Sequence, residues 1–270
     1  MNKDQLNLYI KLHSYYVNNY NKKKYNSKNN MYFYNYKNNM YFYNSKNNMY
    51  LLFKQINTYY INQLVNIKKN EFEIVISKYN ENIEWTEPYK HLTTIYNKSD
   101  IYLENSIKLP NVGRESHTFL YHIITNWDNL ADKTLFTQGE MSSIHQPFPV
   151  PIYYFYPYKY ITNMFNSNIV FRDGIGNHIK HQGKWLDEYK TNNMKPAIIT
   201  FNEFWSIFNN TKITNFNDIK WSHGAIFSVS KDLIKQNSLD IYKYLYKLIC
   251  NHKNPEEGHY FERCWYYIFN

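Results

Sequence analysis

All seven Gly, all eight Pro and all six Trp of this 270-residue chain fall after residue 84. A chain that must turn tightly, break strands and build a large aromatic core needs these residues, so a packed domain belongs to the later part. Charge divides the same way. Residues 1–70 hold eleven Lys and one acid, Asp4, whereas 71–270 hold twenty basic and twenty-one acidic side chains. The formal net charge of +9 therefore resides in the N-terminal extension. It gives no reason to read the main domain as a nucleic-acid binder. We read 1–70 as a basic Asn/Lys/Tyr-rich extension and 71–270 as a single α/β domain.

The extension repeats itself. Asn26–Tyr34 (NSKNNMYFY), Asn35–Tyr43 (NYKNNMYFY) and Asn44–Leu52 (NSKNNMYLL) are three copies of one nonapeptide. Nine residues are too few for a helical-pair repeat, and the Gly/Asp pattern of calcium-binding coils is missing. Asn- and Tyr-rich tracts of this kind are mobile and sticky or pack irregularly on a domain. Leu51–Lys69 carries enough apolar residues for a helix leading into the core.

About 200 residues suit one domain that buries roughly 70% of its unfolded surface. No apolar run approaches the ~18–20 residues that span a bilayer, and Met1–Tyr16 lacks a signal-peptide pattern. Cys250 and Cys264 are too few for a disulfide framework or a zinc site. The expectation is a soluble protein of a reducing compartment, cytoplasmic, or part of a virion.

Within the domain, Leu109–Thr118 (LPNVGRESHT) stands out. Pro110, Asn111 and Gly113 form a turn that runs into an apolar-periodic helix. Arg114 then sits in its first turn, beside free backbone N–H groups where the dipole favours anions. That arrangement is either a phosphate or carboxylate grip or an ordinary turn and cap. Only three Arg survive against twenty-eight Lys: Arg114, Arg172 and Arg263. Since Lys cannot supply a planar fork, a retained Arg hints at a site that uses one.

Periodicity predicts strands at Glu71–Ser77, His91–Tyr96, Thr134–Thr137, Ile169–Phe171 and Gly224–Val229. It predicts helices at Arg114–Asn126, Phe201–Asn209 (with Asn202 as cap), Lys231–Gln236 (capped by Ser230), Leu239–Asn251 and Glu257–Phe269. Strands alternating with helices argue for a mainly parallel α/β sheet. The Pro-rich stretch Gln146–Tyr158 is expected across the sheet's carboxyl edge.

The motifs occur in the order VISKYNE (75–81), IYNK (95–98), LPNVGRESHT (109–118), LFTQG (135–139), GAIFSVSKDLI (224–234) and HYFERCWYYIF (259–269). This order resembles an uncharacterised glycosyltransferase-like family, a domain of unknown function known from fungi, bacteria and giant viruses. The resemblance spans about 71–269 and leaves the repeats outside. It implies a GT-A-like fold, similar to the nucleotide-diphosphosugar transferases: a mainly parallel sheet flanked by helices, with a nucleotide-sugar as donor.

The resemblance further implies that the loop after the first strand, with Tyr79, Asn80 and Glu81, holds the nucleotide. Arg114, helped by Lys98, would meet the diphosphate, and His117 is a weaker donor to it. GT-A enzymes usually end a central strand with Asp-x-Asp, which holds Mn²⁺ or Mg²⁺. Here that strand ends Thr137-Gln138-Gly139-Glu140, which leaves Glu140 as a single weak ligand. The expectation is metal-independent transfer carried by Arg114 and Lys98, or no transfer at all. His178 and His181 have metal-like spacing, but neighbouring glycines oppose a helix there.

For the acceptor side, Glu262 on the closing helix is the candidate base, with a pKa raised by its aromatic surroundings. The alternative is a salt bridge to Arg263 or another neighbour. Glu256, Glu257 and His259 are weaker candidates. Trp221, Trp265 and Tyr260 are candidates to stack on a sugar, or are core. His117 and His122 lie about 140° apart around their helix and cannot serve one site. The expected partners are a nucleotide-sugar and a glycan or protein acceptor, with a non-specific anionic partner for the basic extension. The alternative is a non-catalytic binding or virion-type structural protein that retains the fold. A third reading has the Lys/Tyr-rich extension binding single-stranded nucleic acid.

Overall fold

The computed structural model describes residues 57–140, 161–162, 164–166, 185–209 and 225–270 with their side chains. It describes the backbone alone for Tyr32–Tyr36, Asn39–Tyr43, Ile169–Phe171 and Lys184. The chain forms two compact units, 1–65 with 146–162 and 66–145 with 163–270.

In the first unit, β1 (Tyr32–Tyr36) pairs antiparallel with β2 (Asn39–Tyr43), so that Tyr32 faces Tyr43 and Tyr36 faces Asn39. β1 runs from the end of repeat copy one into the start of copy two, and β2 closes copy two. Tyr and Phe favour the strands. Helix α1 (57–64) follows and buries Tyr60 and Leu64. It covers the middle of the helix expected over 51–69.

The second unit is built on β3 (Phe72–Lys78), whose first six residues are buried. A strand covered on both faces belongs in the middle of a sheet flanked by helices. A 3-10 helix, Glu84–Leu92, leads to β4 (Thr93–Asn97); it holds Pro88, and this geometry displaces the strand expected from His91. Then come β5 (Ser106–Lys108), α2 (Arg114–Thr125), β6 (Lys133–Gln138) and β7 (Ile169–Phe171). Helices α3 (Lys184–Lys190) and α4 (Phe201–Ser206) precede β8 (Phe227–Ser230). The chain closes with α5 (Lys231–Ile234), α6 (Leu239–Ile249) and α7 (Glu256–Ile268).

The sheet order is β5-β4-β3-β6-β8-β7. β5, β4, β3 and β6 run parallel, whereas β8 runs antiparallel to β6 and to β7. The architecture is therefore α/β with a mixed, mostly parallel sheet. Going from β3, the chain first adds strands on one side and then returns to place β6 on the other. The switch point lies between β3 and β6, where ligands bind in such sheets.

Two local readings are corrected. The cap of α4 is Thr200, not Asn202: Thr200 accepts from the Glu203 N–H while the Glu203 carboxylate reaches back to the Thr200 N–H. The strand expected at Gly224–Val229 is β8, which starts only at Phe227. Ser230 does cap α5, accepting from the Leu233 N–H. Periodicity predicts neither β5 nor α3, because three and seven residues give too little pattern to read. The Pro-rich segment 146–158 lies outside the described residues. No helix among the described residues is long and apolar enough to cross a membrane.

Candidate active site at the carboxyl edge of the sheet

Two contacts bring the start of α2 to the carboxyl ends of the strands. Ser77, near the end of β3, lies 2.9 Å hydroxyl to hydroxyl from Thr118 of α2. Lys98, just past β4 and tied by its backbone N–H to the Lys78 carbonyl at 2.8 Å, donates from its ammonium to the Val112 carbonyl in the turn before α2. Arg114 lies one helical turn before Thr118 and so stands at that edge.

The turn before α2 needs its glycine. Gly113 has φ +61°, and a Cβ there would lie 2.6 Å from the Ile249 carbonyl oxygen. Arg114 itself has φ +52°, in the left-handed region that disfavours side chains. Residues held in such a conformation gather at functional sites. The Lys98 ammonium sits under this turn, donating to the Val112 carbonyl at 2.5 Å and also to the Arg114 carbonyl.

The Arg114 guanidinium uses every edge of its fork. Nη2 lies 3.3 Å from Glu262 Oε1, and Nε lies 3.6 Å from Glu115 Oε2. Nη1 donates to the imidazole of His259, 3.2 Å from Nδ1 and 2.9 Å from Nε2. His259 Nε2 also lies 3.2 Å from Asn254 Oδ1. Asn254 in turn donates to Glu188 Oε2 at 2.8 Å. The Trp185 ring covers the guanidinium, 4.5 Å from its carbon to the ring centroid. On the opposite helix Gly258 leaves the space: a Cβ there would come within 3.3 Å of Arg114 Cδ.

This is a mostly desolvated ion network, with 16% of each side chain exposed for Arg114 and Glu262. Burial works against the Arg114 charge, but Glu115 and Glu262 outweigh it and hold its pKa above the usual value. Burial pushes the Glu262 carboxyl up, and Glu115 adds to the push against Arg114 and Arg263. Burial also lowers Lys98 to about 8, although Glu115 opposes it. The cluster combines a fixed cation with a carboxylate disposed to take up a proton.

Several sequence candidates lie elsewhere. Tyr79 and Asn80 are exposed beside the β3–β6 switch point. Glu81 turns back on its own loop, accepting from the Tyr79 N–H at 2.6 Å and packing against Gly139. Glu140 is exposed just beyond β6. Among the described residues, no three His, Cys, Asp or Glu side chains gather as a metal-holding group.

His117 is corrected: it is buried against α6, and its Nε2 lies 2.8 Å from the Tyr246 hydroxyl. Burial, with Lys98 nearby, lowers it to about 3, so it is a neutral core imidazole and offers no charge to a phosphate. Lys98 is likewise a tie under the turn, 4% exposed, not a second grip. Trp265 and Tyr260 are corrected too: both are buried, Trp265 stacking on Phe269 at 5.6 Å and Tyr260 packing on Phe201 and Phe204. Trp265 belongs to the core stripe of Phe261, Cys264 and Ile268 on α7, whereas Tyr260 is covered from α4.

Glu256 and Glu257 accept from the Ala197 and Ile198 N–H groups and anchor that segment to the start of α7. Trp221, Arg172, Asp173, His178 and His181 lie outside the described residues. Sequence reasoning misses Trp185, Glu188 and Asn254 as neighbours of Arg114. Their short segments carry no motif, and only the fold brings them together.

The class so defined is an α/β protein with an arginine–carboxylate pair at the carboxyl edge of its parallel strands. The chain belongs to the family described as Protein of unknown function (DUF3431), whose family model matches residues 74–270. No curated protein and no solved structure matches it.

Proposed function

We propose that the chain is a glycosyltransferase with a GT-A-like fold that uses a nucleotide-sugar donor. The observation that supports this most is the Arg114–Glu262 pair, 3.3 Å apart at the sheet edge, with the Glu262 carboxyl raised by burial. In this reading exposed Tyr79 and Asn80 take the nucleotide and Arg114 takes the diphosphate. Once the diphosphate shares the Arg114 donors, Glu262 loses part of its counter-charge and becomes a stronger base. It removes the proton of an acceptor hydroxyl on a glycan or protein. That oxygen bonds to the anomeric carbon, and the carbon–oxygen bond to the diphosphate breaks. The electron pair leaves with the diphosphate, where Arg114 stabilises it. Lys98 holds the Arg114 turn and touches no substrate. Without Asp-x-Asp, the leaving-group charge falls to Arg114.

One observation favours a second reading, a non-catalytic protein that retains the fold. All three edges of the Arg114 fork are already engaged by Glu115, His259 and Glu262, as a structural network would have them. Thermal stability of the full chain with UDP-, GDP- and CMP-sugars, with and without Mn²⁺, separates the two. Donor at a hundred times its Kd adds about 2.7 kcal/mol. At about 2–4 °C per kcal/mol for a domain of this size, the shift is readily seen. A nucleotide-selective shift supports the transferase; no shift with any donor favours the non-catalytic protein.

A further inference from the structure

A cavity of about 500 Å³ opens at the other end of the same sheet. That volume lies within the roughly 300–1,000 Å³ range of small-molecule sites. Its floor comes from the amino end of β3, from β4 and from the carboxyl end of α2, through Glu73, Thr94, Tyr96 and His122. His122 follows Arg114 by eight residues on α2, about 12 Å along the axis. The cavity is therefore separate from the Arg114 cluster.

The floor is a connected polar chain. Thr94 donates to Glu73 Oε1 at 2.5 Å. His122 Nε2 faces Glu73 Oε2 at 3.4 Å, near enough for attraction but without an aligned hydrogen bond. The Tyr96 hydroxyl lies 3.0 Å from His122 Nδ1. Glu73, Tyr96 and His122 are each more than nine-tenths buried, so the sheet has placed ionisable groups where an apolar core would be more stable. Burial pushes the Glu73 carboxyl up, yet His122, Thr94 and Lys69 outweigh it and keep it ionised.

The fixed charges largely cancel within the cavity: Lys69 at the rim lies 3.5 Å from Glu73. What remains for a ligand is neutral and two-sided. Asn126 turns its amide nitrogen onto the His122 carbonyl and the Thr125 hydroxyl, which leaves its carbonyl oxygen to accept, and Asn129 offers an amide that both donates and accepts. Tyr121, edge-on to Tyr96 at 5.7 Å, adds an aromatic wall. Hydroxyl groups need partners that donate and accept, while the C–H faces of a ring need apolar surface.

We propose that this cavity binds a small, neutral, polyhydroxylated ring, of monosaccharide size. The proposal does not depend on the transferase reading, since the probes carry no nucleotide.

The test is ligand-observed NMR on the full chain. The probes are the methyl glycosides of glucose, galactose, mannose and N-acetylglucosamine, and myo-inositol, with glucosamine and glucuronate as charged comparisons. At least one neutral probe saturates the wild-type chain. Asn129→Trp, which fills the mouth from an exposed position, weakens it by about tenfold or more. Ile107→Trp, also at an exposed lining position, does the same should the first variant fail to fold. Arg114→Lys leaves the affinity unchanged. The proposal is overturned if no neutral probe saturates, if only charged sugars bind, if the folded mouth-filling variants bind as well as wild type, or if Arg114→Lys abolishes binding.

Discussion

Arg114 Nη2 and Glu262 Oε1 meet at 3.3 Å although 148 positions separate the two residues in the chain. One opens helix α2 and the other lies midway along α7, so the fold alone joins them. The same contact neutralises a mostly buried cation and gives a carboxylate a partner that a substrate phosphate can claim. This dual use makes the pair testable by separating stability from chemistry.

The turn that presents Arg114 depends on Gly113. An added Cβ meets the Ile249 carbonyl oxygen at 2.6 Å and His117 Cβ at 2.7 Å, with φ at +61°. Gly113→Ala should therefore cost about 2–4 kcal/mol. Urea denaturation would show it as a lower midpoint with an unchanged slope.

Lys98 ties that turn through the Val112 and Arg114 carbonyls. Lys98→Met keeps the length and loses the donors, and should destabilise by about 1–3 kcal/mol. Were Lys98 a direct phosphate grip instead, the variant would lose donor affinity while its melting temperature stayed at the wild-type value.

His117 sets part of the acid limit of stability. Its folded pKa is lowered from 6.5 to about 3, first by burial and then by Lys98. Between those values the unfolded state binds the proton and the folded state does not. Stability thus falls as pH drops through that window, by up to about 1.4 kcal/mol per pH unit. His117→Gln, which keeps a hydrogen-bonding partner for Tyr246, should flatten that slope in denaturation curves taken from pH 7 down to pH 4. An unchanged slope would show that the imidazole already takes up a proton in the folded protein.

Gly258 faces Arg114 across the helix contact, and a Cβ added there would lie 3.3 Å from Arg114 Cδ. Gly258→Ala should change stability by less than about 1 kcal/mol, because better helix propensity offsets the tight contact. It should still weaken donor binding by moving the guanidinium a few tenths of an ångström. Equal donor affinity in the variant would place the donor away from Arg114.

Much of this is legible in the sequence. FEIVIS reads as a buried strand because β-branched residues run together, and α2, α6 and α7 show clear helical periods. The scarcity of Arg directs attention to Arg114, and the structure shows all edges of its fork in use. Periodicity cannot distinguish a core aromatic from one that faces a ligand, so it offers Trp265 and Tyr260 as sugar platforms though both are buried. Nor can spacing show that Lys98 folds under the turn or that His117 faces Tyr246. Those directions depend on the packing of α6 against α2. Trp185, Glu188 and Asn254 reach the site only through long-range packing, which leaves no local pattern to read.

The most direct measurement is release of nucleoside diphosphate from a nucleotide-sugar that stabilises the chain, compared among wild type, Arg114→Lys and Glu262→Gln. Arg114→Lys keeps the charge and loses the fork, and Glu262→Gln keeps the shape and loses the base. We predict that each lowers the rate by about a hundredfold or more while both variants remain folded. Release at the wild-type rate in both folded variants, or none from the wild-type chain, would contradict the assignment of transfer chemistry to this pair.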